Sequence, residues 1–265
     1  MPQQYTHLSV SHVDGVDYLT LNRPEKLNAL NDALCDELLD YFAHLYTEHT
    51  TRTVLLSGAG KHFCAGFDLD ATDSITAPPP TALRGQRKVS EIIMRMRRCP
   101  QPIIALMHGA ATGGGFALAL AADVRLAADN ARMNVAMSRV GLTGCDMGIS
   151  YFLPRAVGTS NAAHLMMSGR FVDAKKACAI GLVSDVFPEG HLVEEGEQLA
   201  QDMLGMSPLG LRLTKEGLNM AQDSGSLEAT IALEDRGQIL CATSGFFNEG
   251  IAAFKEKREA RYTDE

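Results

Sequence analysis

The sequence has no long run of Lys or Arg, and its 32 acidic residues outnumber its 24 basic ones, giving a net charge of −8. Such a chain presents no basic surface for nucleic acid or an anionic membrane, so neither partner is expected. Apolar runs are short, because glycine, proline and charged residues interrupt each of them. None reaches the length of a membrane span, and Met1–His7 lacks the charged-then-apolar pattern of a secretory signal.

Paired cysteines and clustered histidines are also missing. The six cysteines are scattered without a Cys-x-x-Cys pair, which favours reduced thiols in a cytoplasmic protein. The eight histidines show no ligand spacing, so we expect no metal site.

Predicted strands alternate with predicted helices along the first two thirds of the chain. Val16–Leu21 has the pattern of a strand, and Asn31 is placed to cap a helix that carries Leu34 and Leu38 on its apolar face. Further strands are predicted at Val54–Ser57, Ile103–Met107 and Val124–Ala127. The alternation predicts an α/β fold with one sizeable core, followed by a helical pattern from about Leu192.

One segment between these elements is predicted to be a loop. Residues from Asp70 to Leu83 contain Pro78-Pro79-Pro80 and many small polar side chains. This composition is typical of a mobile loop, and such a loop could serve as a lid over a site.

The glycine turn Gly113-Gly114-Gly115 lies between a predicted buried strand and an apolar helix. The free N–H groups of a helix start carry partial positive charge and could stabilise negative charge on a ligand oxygen. The alternative is that the glycines only let a strand turn into a packed helix.

Three more segments could carry chemistry. Gly60–Leu69 follows a strand and would bring backbone amides to the end of a sheet, where α/β proteins bind ligands. Asn22–Leu30 holds two cations that could bind a phosphate, although a solvated turn is an equal alternative. In Gly141–Tyr151, Asp146 is either an acid at a helix N-terminus or a tuned catalytic group.

Taken in order, these motifs resemble the crotonase superfamily, also called the enoyl-CoA hydratase/isomerase family, from about Val16 to Arg261. The matching segments are Asn22-Arg23-Pro24, Leu27-Asn28-Ala29-Leu30, Phe63–Leu69, His108–Gly115, Ala122-Asp123, Leu153–Gly158, Ala177–Val183 and Phe254–Arg258.

This resemblance implies a spiral of ββα units over residues 1–195 and a helical trimerisation region over 196–265. It also implies an acyl-CoA ligand, with no cofactor beyond that CoA, and a homotrimer or a dimer of trimers. The thioester carbonyl would lie between the backbone N–H groups of Phe67 and Gly114. The other substrate-binding positions that it implies are Arg23, Lys26, Leu27, Ala65, Gly66, Asp68, Leu69, Gly113, Gly115, Met137, Phe254 and Lys257.

The sequence departs from the hydratase pattern at both catalytic glutamates. Ala117 stands at the first position and Ala136-Met137 at the second, where a shift of one residue would bring only Ser138. Alanine and methionine transfer no protons, so hydration by the two-glutamate route is not expected.

Asp146 resembles in position an aspartate that is functional in dienoyl-CoA isomerases, in the 4-chlorobenzoyl-CoA dehalogenase and in hydroxyisobutyryl-CoA hydrolases. The resemblance implies that Asp146 is the main acid and base, with a nucleophile as the alternative role. A pocket of Phe67, Met137, Cys145 and Met147 would desolvate this carboxyl group and raise its pKa. We therefore expect an acyl-CoA enzyme with isomerase-type or altered hydratase chemistry at Asp146. A thioester hydrolase and a non-catalytic acyl-CoA-binding protein are the alternatives.

The remaining polar candidates are expected to have structural roles. Asp68 would cap the turn that follows it, Asp123 would order the next strand, and His62 and His108 would be core or surface histidines. Cys64 lies near the expected pocket, but no histidine is placed to make it a nucleophile.

Overall fold

The strands of this protein form two sheets beside a series of helices. The computed structural model describes residues 5–71 and 76–262. Within these ranges the strands are β1 (Leu8–Val13), β2 (Val16–Leu21), β3 (Thr53–Gly58), β4 (Ile103–Met107), β5 (Ala110–Thr112), β6 (Val124–Ala128), β7 (Arg132–Asn134), β8 (Val172–Asp173) and β9 (Asp185–Phe187). The helices are α1 (Asp32–Leu45), α2 (Pro79–Arg98), α3 (Gly114–Ala121), α4 (Ile149–Ser168), α5 (Ala174–Ala179), α6 (Leu192–Leu204), α7 (Pro208–Asp223), α8 (Leu227–Thr243) and α9 (Gly245–Glu256).

The larger sheet has the strand order β1-β2-β3-β4-β6-β9, and all its pairs are parallel except β1 with β2. One face packs against a large apolar cluster that includes the buried residues of α1, α2 and α3, and the other packs against α6. Covering on both faces explains why β4 is apolar throughout, with all five residues buried. The predicted α/β class is confirmed.

The chain repeats one path from the large sheet to the small sheet and then into a helix. β4 leads through His108-Gly109 into β5 and α3, and β6 leads in the same way into β7 and then α4. β5 pairs in parallel with β7. An isolated bridge between Cys64 and Ala111 joins the segment after β3 to β5. The predicted spiral of ββα units is confirmed. The sequence reading missed the short β5 within it.

Helix α1 forms as predicted. The Asn31 side chain accepts a hydrogen bond from the Leu34 N–H at 2.9 Å, so it caps the helix. Leu34, Leu38 and Phe42 are buried on one face. This face belongs to the same cluster as the apolar face of α2, and the two helices pack together.

The expected loop from Asp70 to Leu83 is wrong in its second half. Residues 72–75 lie outside the described part, but Pro79 opens α2, which continues to Arg98. Proline suits the first turn of a helix, because its φ is already helical and its missing N–H has no intrahelical acceptor there. The buried face of Val89, Ile92 and Met96 then holds the helix against the core.

The C-terminal helices leave the core in sequence. The domain boundary expected after residue 195 falls inside α6, whose Leu192 and Ala200 are buried against the large sheet. Helix α7 packs on α8 and α8 on α9, and α8 has no buried residue. We therefore propose that the peripheral helical region begins at Pro208.

A buried lysine attaches α7 to the core. Lys215 is 4% exposed, and its Nζ lies 2.8 Å from Asp123 Oδ2. The same ammonium donates to the Gln101 carbonyl at 2.7 Å and to the Met96 carbonyl at 3.2 Å. Asp123 also accepts a hydrogen bond from the N–H of Ile103, the first residue of β4. This contact agrees with a role for Asp123 in ordering a strand.

Replacing this lysine tests the attachment. Lys215→Met removes the buried partner of Asp123 and leaves two carbonyls without this donor, while Asp123 keeps Arg97 and the Ile103 N–H. We expect it to lower the free energy of unfolding by about 3 kcal/mol, measured by urea denaturation. The exposed Lys255→Met on α9 is the matched control and should change it by less than about 0.5 kcal/mol. Equal effects of the two substitutions would contradict the attachment.

Candidate active site

Two glycine segments lie side by side where successive turns of the spiral meet. The Leu30 N–H donates to the Gly66 carbonyl at 2.7 Å, and the Thr112 N–H donates to the Cys64 carbonyl at 2.9 Å. A Cβ atom built on Gly66 would lie 3.6 Å from the Gly114 nitrogen. The segment around Phe67 and the start of α3 are therefore in contact.

This contact depends on glycine at two positions. Gly113 has φ +53° and ψ −121°, a backbone conformation that residues other than glycine rarely adopt. A Cβ atom on Gly115 would lie 2.3 Å from the Cys64 carbonyl oxygen, closer than any real contact. The two backbones approach closely only because no side chain separates them.

The approach leaves two N–H donors together. Leu30 forms a parallel bridge with Phe67, in which its backbone bonds to Gly66 and Asp68, the two neighbours of Phe67. The Phe67 N–H therefore points away from Leu30. Gly114 is the first residue of α3, so its N–H has no intrahelical acceptor. Across the described ranges neither N–H donates to a protein acceptor. The α3 N-terminus adds partial positive charge beside them.

A pocket of about 360 Å³ opens beside Phe67. It lies between α1, α2 and Phe67, and its size and mainly apolar walls suit a small-molecule ligand. The lining residues are Leu30, Asn31, Asp32, Cys35, Phe67, Pro79, Ala82, Leu83, Gly85, Gln86 and Val89.

Asp146 lies in the glycine-rich loop that enters α4. Burial raises the pKa of its carboxyl group, and hydrogen bonds from Gln86 Nε2 and the Met147 N–H only partly offset this effect. Met147, at φ +44°, occupies the left-handed region beside it. The expected direction of the pKa shift agrees with the structure.

The expected surroundings of the site agree in part. A Cβ atom on Gly114 would lie 3.4 Å from the Phe67 ring and 3.5 Å from Met147 Sδ, and one on Gly113 would lie 3.9 Å from Met137 Sδ. These side chains do surround the start of α3. Cys145 is exposed, so its expected place in the lining was wrong.

The sequence analysis did not predict that Gln86 belongs to the site. Its Nε2 lies 2.5 Å from Asp146 Oδ1, and its side chain lines the pocket beside Phe67. The available signal was the helical spacing of Leu83, Gln86 and Val89, which places them on one face once this segment is recognised as a helix.

Arg23, which was expected to bind the substrate, is buried in its turn. Its guanidinium is buried, pairs with Asp68 at 3.0 Å and donates to the Ala29 carbonyl at 2.5 Å. Burial raises the pKa of Asp68, but the hydrogen bonds from Arg23 and the Asp70 N–H, together with the charge of Arg23, outweigh it and lower the pKa. Neither side chain faces outward, so the pair stabilises this turn and the predicted capping role of Asp68 fits.

The other predicted binding residues lie in three places. Lys26, Leu27 and Leu69 are on the surface around the Arg23 turn, where Lys26 pairs with Asp70 at 2.8 Å. Phe254 is 83% exposed at the end of α9, and Lys257 is the C-cap of that helix. Ala65, Gly66, Gly113 and Gly115 belong to the contact described above.

The two positions that a hydratase would fill with glutamate are apolar in the structure. Ala117 is fully buried in α3, and Ala136 Cβ would lie 3.6 Å from a Cβ atom on Gly113. Ser138 is turned away, because its hydroxyl donates to the Met166 carbonyl at 2.5 Å.

The expected structural candidates make structural contacts. His62 Nδ1 accepts from the Ala110 N–H at 3.1 Å, and His108 Nε2 lies 3.2 Å from the Gly60 carbonyl oxygen. Burial raises the pKa of the Cys64 thiol to about 12, which makes it a poor nucleophile. In the described ranges no three His, Cys, Asp or Glu side chains group as metal ligands, and no helix is long and apolar enough to cross a membrane.

Comparison with known proteins gives consistent matches over nearly the whole chain. Residues 12–265 match the family model for enoyl-CoA hydratase/isomerase. The chain is 35% identical over 257 residues to 1,2-epoxyphenylacetyl-CoA isomerase of Escherichia coli K12, covering 96% of this chain and 97% of that protein. It is also 35% identical over 253 residues to 2,3-dehydroadipyl-CoA hydratase of the same organism, covering 96% and 97%. The crystal structure of enoyl-CoA hydratase from Bacillus anthracis superimposes with a TM-score of 0.93 at 31% identity, covering 98% and 100%.

The environment of Asp146 predicts how its charge affects stability. Because the folded-state pKa is raised, ionising Asp146 destabilises the folded protein at pH values above that pKa. Below the ordinary aspartate pKa of about 3.9 the group is neutral in both states, and this cost is absent. Asp146→Asn keeps an acceptor for Gln86 and carries no charge. We expect it to raise the Tm by about 1–2 °C at pH 8, a small effect because the group is partly exposed.

Differential scanning fluorimetry across pH checks this sign. The advantage of Asp146→Asn should disappear as the pH falls to about 3.5. A lower Tm than wild type at pH 8, or an equal gain at every pH, would show that burial does not disfavour the ionised carboxylate.

Proposed function

The chain belongs to the enoyl-CoA hydratase/isomerase family, and within it we propose a double-bond isomerase that forms an acyl-CoA enolate. The thioester oxygen would bind between the N–H groups of Phe67 and Gly114, and Asp146 would move the proton. One observation carries this proposal. In the described residues, the Phe67 and Gly114 N–H groups have no protein acceptor and lie near each other at a helix N-terminus, and Phe67 lines an apolar pocket.

The chemistry follows from where charge develops. Removing a proton from carbon next to the thioester carbonyl places negative charge on its oxygen. Two fixed donors there stabilise that charge without having to reorganise during the reaction. Ionised Asp146 would take the proton, and a pKa raised toward neutral pH makes a carboxylate a stronger base.

A single carboxylate favours isomerisation over hydration. Asp146 would return the proton at the far end of the dienolate, so the double bond moves and no water is consumed. The two-glutamate hydration route lacks its groups, because Ala117 occupies the first position and Ala136-Met137 the second. Hydration by an altered route at Asp146 is the alternative function. It is favoured by the similarity to 2,3-dehydroadipyl-CoA hydratase.

Exposed residues of this chain support a proposal for where CoA binds and how copies of the chain assemble. Lys26, Leu27 and Leu69 would contact the CoA, while the buried Arg23–Asp68 pair supports their turn from beneath. Phe254 and Lys257 would reach the CoA bound to a neighbouring copy. A homotrimer or a dimer of trimers would also cover α8, which has no buried residue in the single chain. The free cysteines favour a reducing compartment, the cytoplasm.

Isotope exchange tests the proposed reaction. Purified protein in deuterated water would be screened by mass spectrometry against 2-enoyl, 3-enoyl, dienoyl, 3-hydroxyacyl and saturated CoA thioesters. We expect deuterium incorporation with a shifted double bond, and a loss of about 10²–10⁴ in rate for Asp146→Asn. Gain of one water would support altered hydration. Free CoA release would favour a hydrolase, and binding without turnover would favour a non-catalytic protein. Either of the last two results would overturn the proposal.

A matched pair of substitutions tests the Gly114 donor. Gly114→Pro deletes the N–H, and proline is tolerated at the first position of a helix. Gly114→Ala adds the same Cβ and keeps the N–H. That Cβ would meet only side-chain atoms, of Leu30, Phe67 and Met147. We expect the proline variant to have a kcat about 10²–10³ below that of the alanine variant. Equal kcat values would remove Gly114 from the proposed oxyanion site.

A further inference from the structure

A side-chain amide from α2 contacts the carboxylate of Asp146. Gln86 Nε2 lies 2.5 Å from Asp146 Oδ1, although the two residues are 60 positions apart in the chain. The amide can only donate through this nitrogen, and the carboxylate accepts. The contact joins α2 to the glycine-rich loop that enters α4.

Gln86 also lies at the pocket. It shares the pocket wall with Phe67, whose N–H is one of the two proposed donors. The other α2 residues in that wall are apolar or glycine, namely Pro79, Ala82, Leu83, Gly85 and Val89. In the described part of α2, Gln86 is thus the polar group placed between the pocket and Asp146.

Among the described residues, no charged group competes with Gln86 for this carboxylate. Arg84 and Arg87 lie on α2, Arg139 on the turn before the loop, and Arg155 and Tyr151 on α4. Of the described residues, none of these forms an ion pair or hydrogen bond with Asp146. In the described part of the chain, burial raises the pKa of the Asp146 carboxyl group, and hydrogen bonds from Gln86 and the Met147 N–H lower it.

We infer that Gln86 is a positioning residue that holds Asp146 Oδ1 and leaves Oδ2 to accept the substrate proton. The inference rests on the proposed function, because it gives Asp146 the proton transfer. A donor to a carboxylate stabilises its ionised form, whereas the surroundings of Asp146 favour the neutral form. By lowering the pKa of Asp146, Gln86 widens the pH range in which the ionised carboxylate can act as a base.

Two substitutions of similar shape separate this role from simple packing. Gln86→Met keeps the length of the side chain and removes the donor. Gln86→Glu keeps the shape and brings a second carboxylate, and two carboxylates sharing a site raise one pKa strongly. The exposed neighbour Arg87→Met, which makes no contact with Asp146 in the described structure, is the control on the same helix.

The primary measurement needs no substrate. The Asp146 carboxyl group would be titrated by NMR in protein labelled with ¹³C at aspartate, and its signal assigned by its loss in Asp146→Asn. We expect its pKa to rise in the order wild type, Gln86→Met, Gln86→Glu, with Arg87→Met equal to wild type. Equal pKa values in wild type and Gln86→Met would overturn the inference.

The kinetic measurement separates this inference from the proposed function. The acid limb of kcat should move to higher pH in the same order, with a roughly three- to tenfold loss for Gln86→Met at pH 6 and an unchanged KM. If Asp146→Asn is inactive but Gln86→Met has the wild-type pH profile, only the inference fails. If Asp146→Asn retains full turnover, the proposed role of Asp146 fails.

Discussion

The close contact between two glycine-containing backbones determines the character of this site. The chain after β3 lies so near the start of α3 that a single Cβ atom on Gly115 would collide with the Cys64 carbonyl. Parallel pairing of β3 with β4 and of β4 with β6 stacks successive turns of the spiral, so their following loops meet at one edge. In the described residues, this contact leaves the N–H groups of Phe67 and Gly114 without a protein acceptor.

The second determinant is the balance of forces on one carboxylate. Burial disfavours the charge of Asp146, and two hydrogen-bond donors partly restore it. The same half-buried position that raises the pKa of the group makes its ionisation a small cost to folding. Elsewhere this protein pairs its buried charges, as Lys215 with Asp123 and Arg23 with Asp68 show. A carboxylate held by an amide instead of a cation keeps the freedom to change its protonation.

Much of the fold could be predicted from local pattern. The apolar strands, the Asn31 cap and the order of glycine motifs are local features, and the structure confirms the spiral that they imply. The start of α2 was missed, because three prolines resemble a loop unless their place at a helix start is recognised. β5 was missed because its three small residues, Ala110–Thr112, carry no alternation of polar and apolar side chains.

The candidate site could be predicted only in part, because two of its features depend on tertiary contacts. Nothing near Arg23 in sequence indicates that Asp68 will bury its charge. Gln86 meets Asp146 only because α2 packs beside the loop before α4. The central claim is that the Phe67 and Gly114 N–H groups polarise a bound thioester carbonyl. Its most direct test is the infrared spectrum of a saturated acyl-CoA, labelled with ¹³C at that carbonyl, bound to the protein. The account predicts a carbonyl band at lower frequency than in water, and an unshifted band would contradict it.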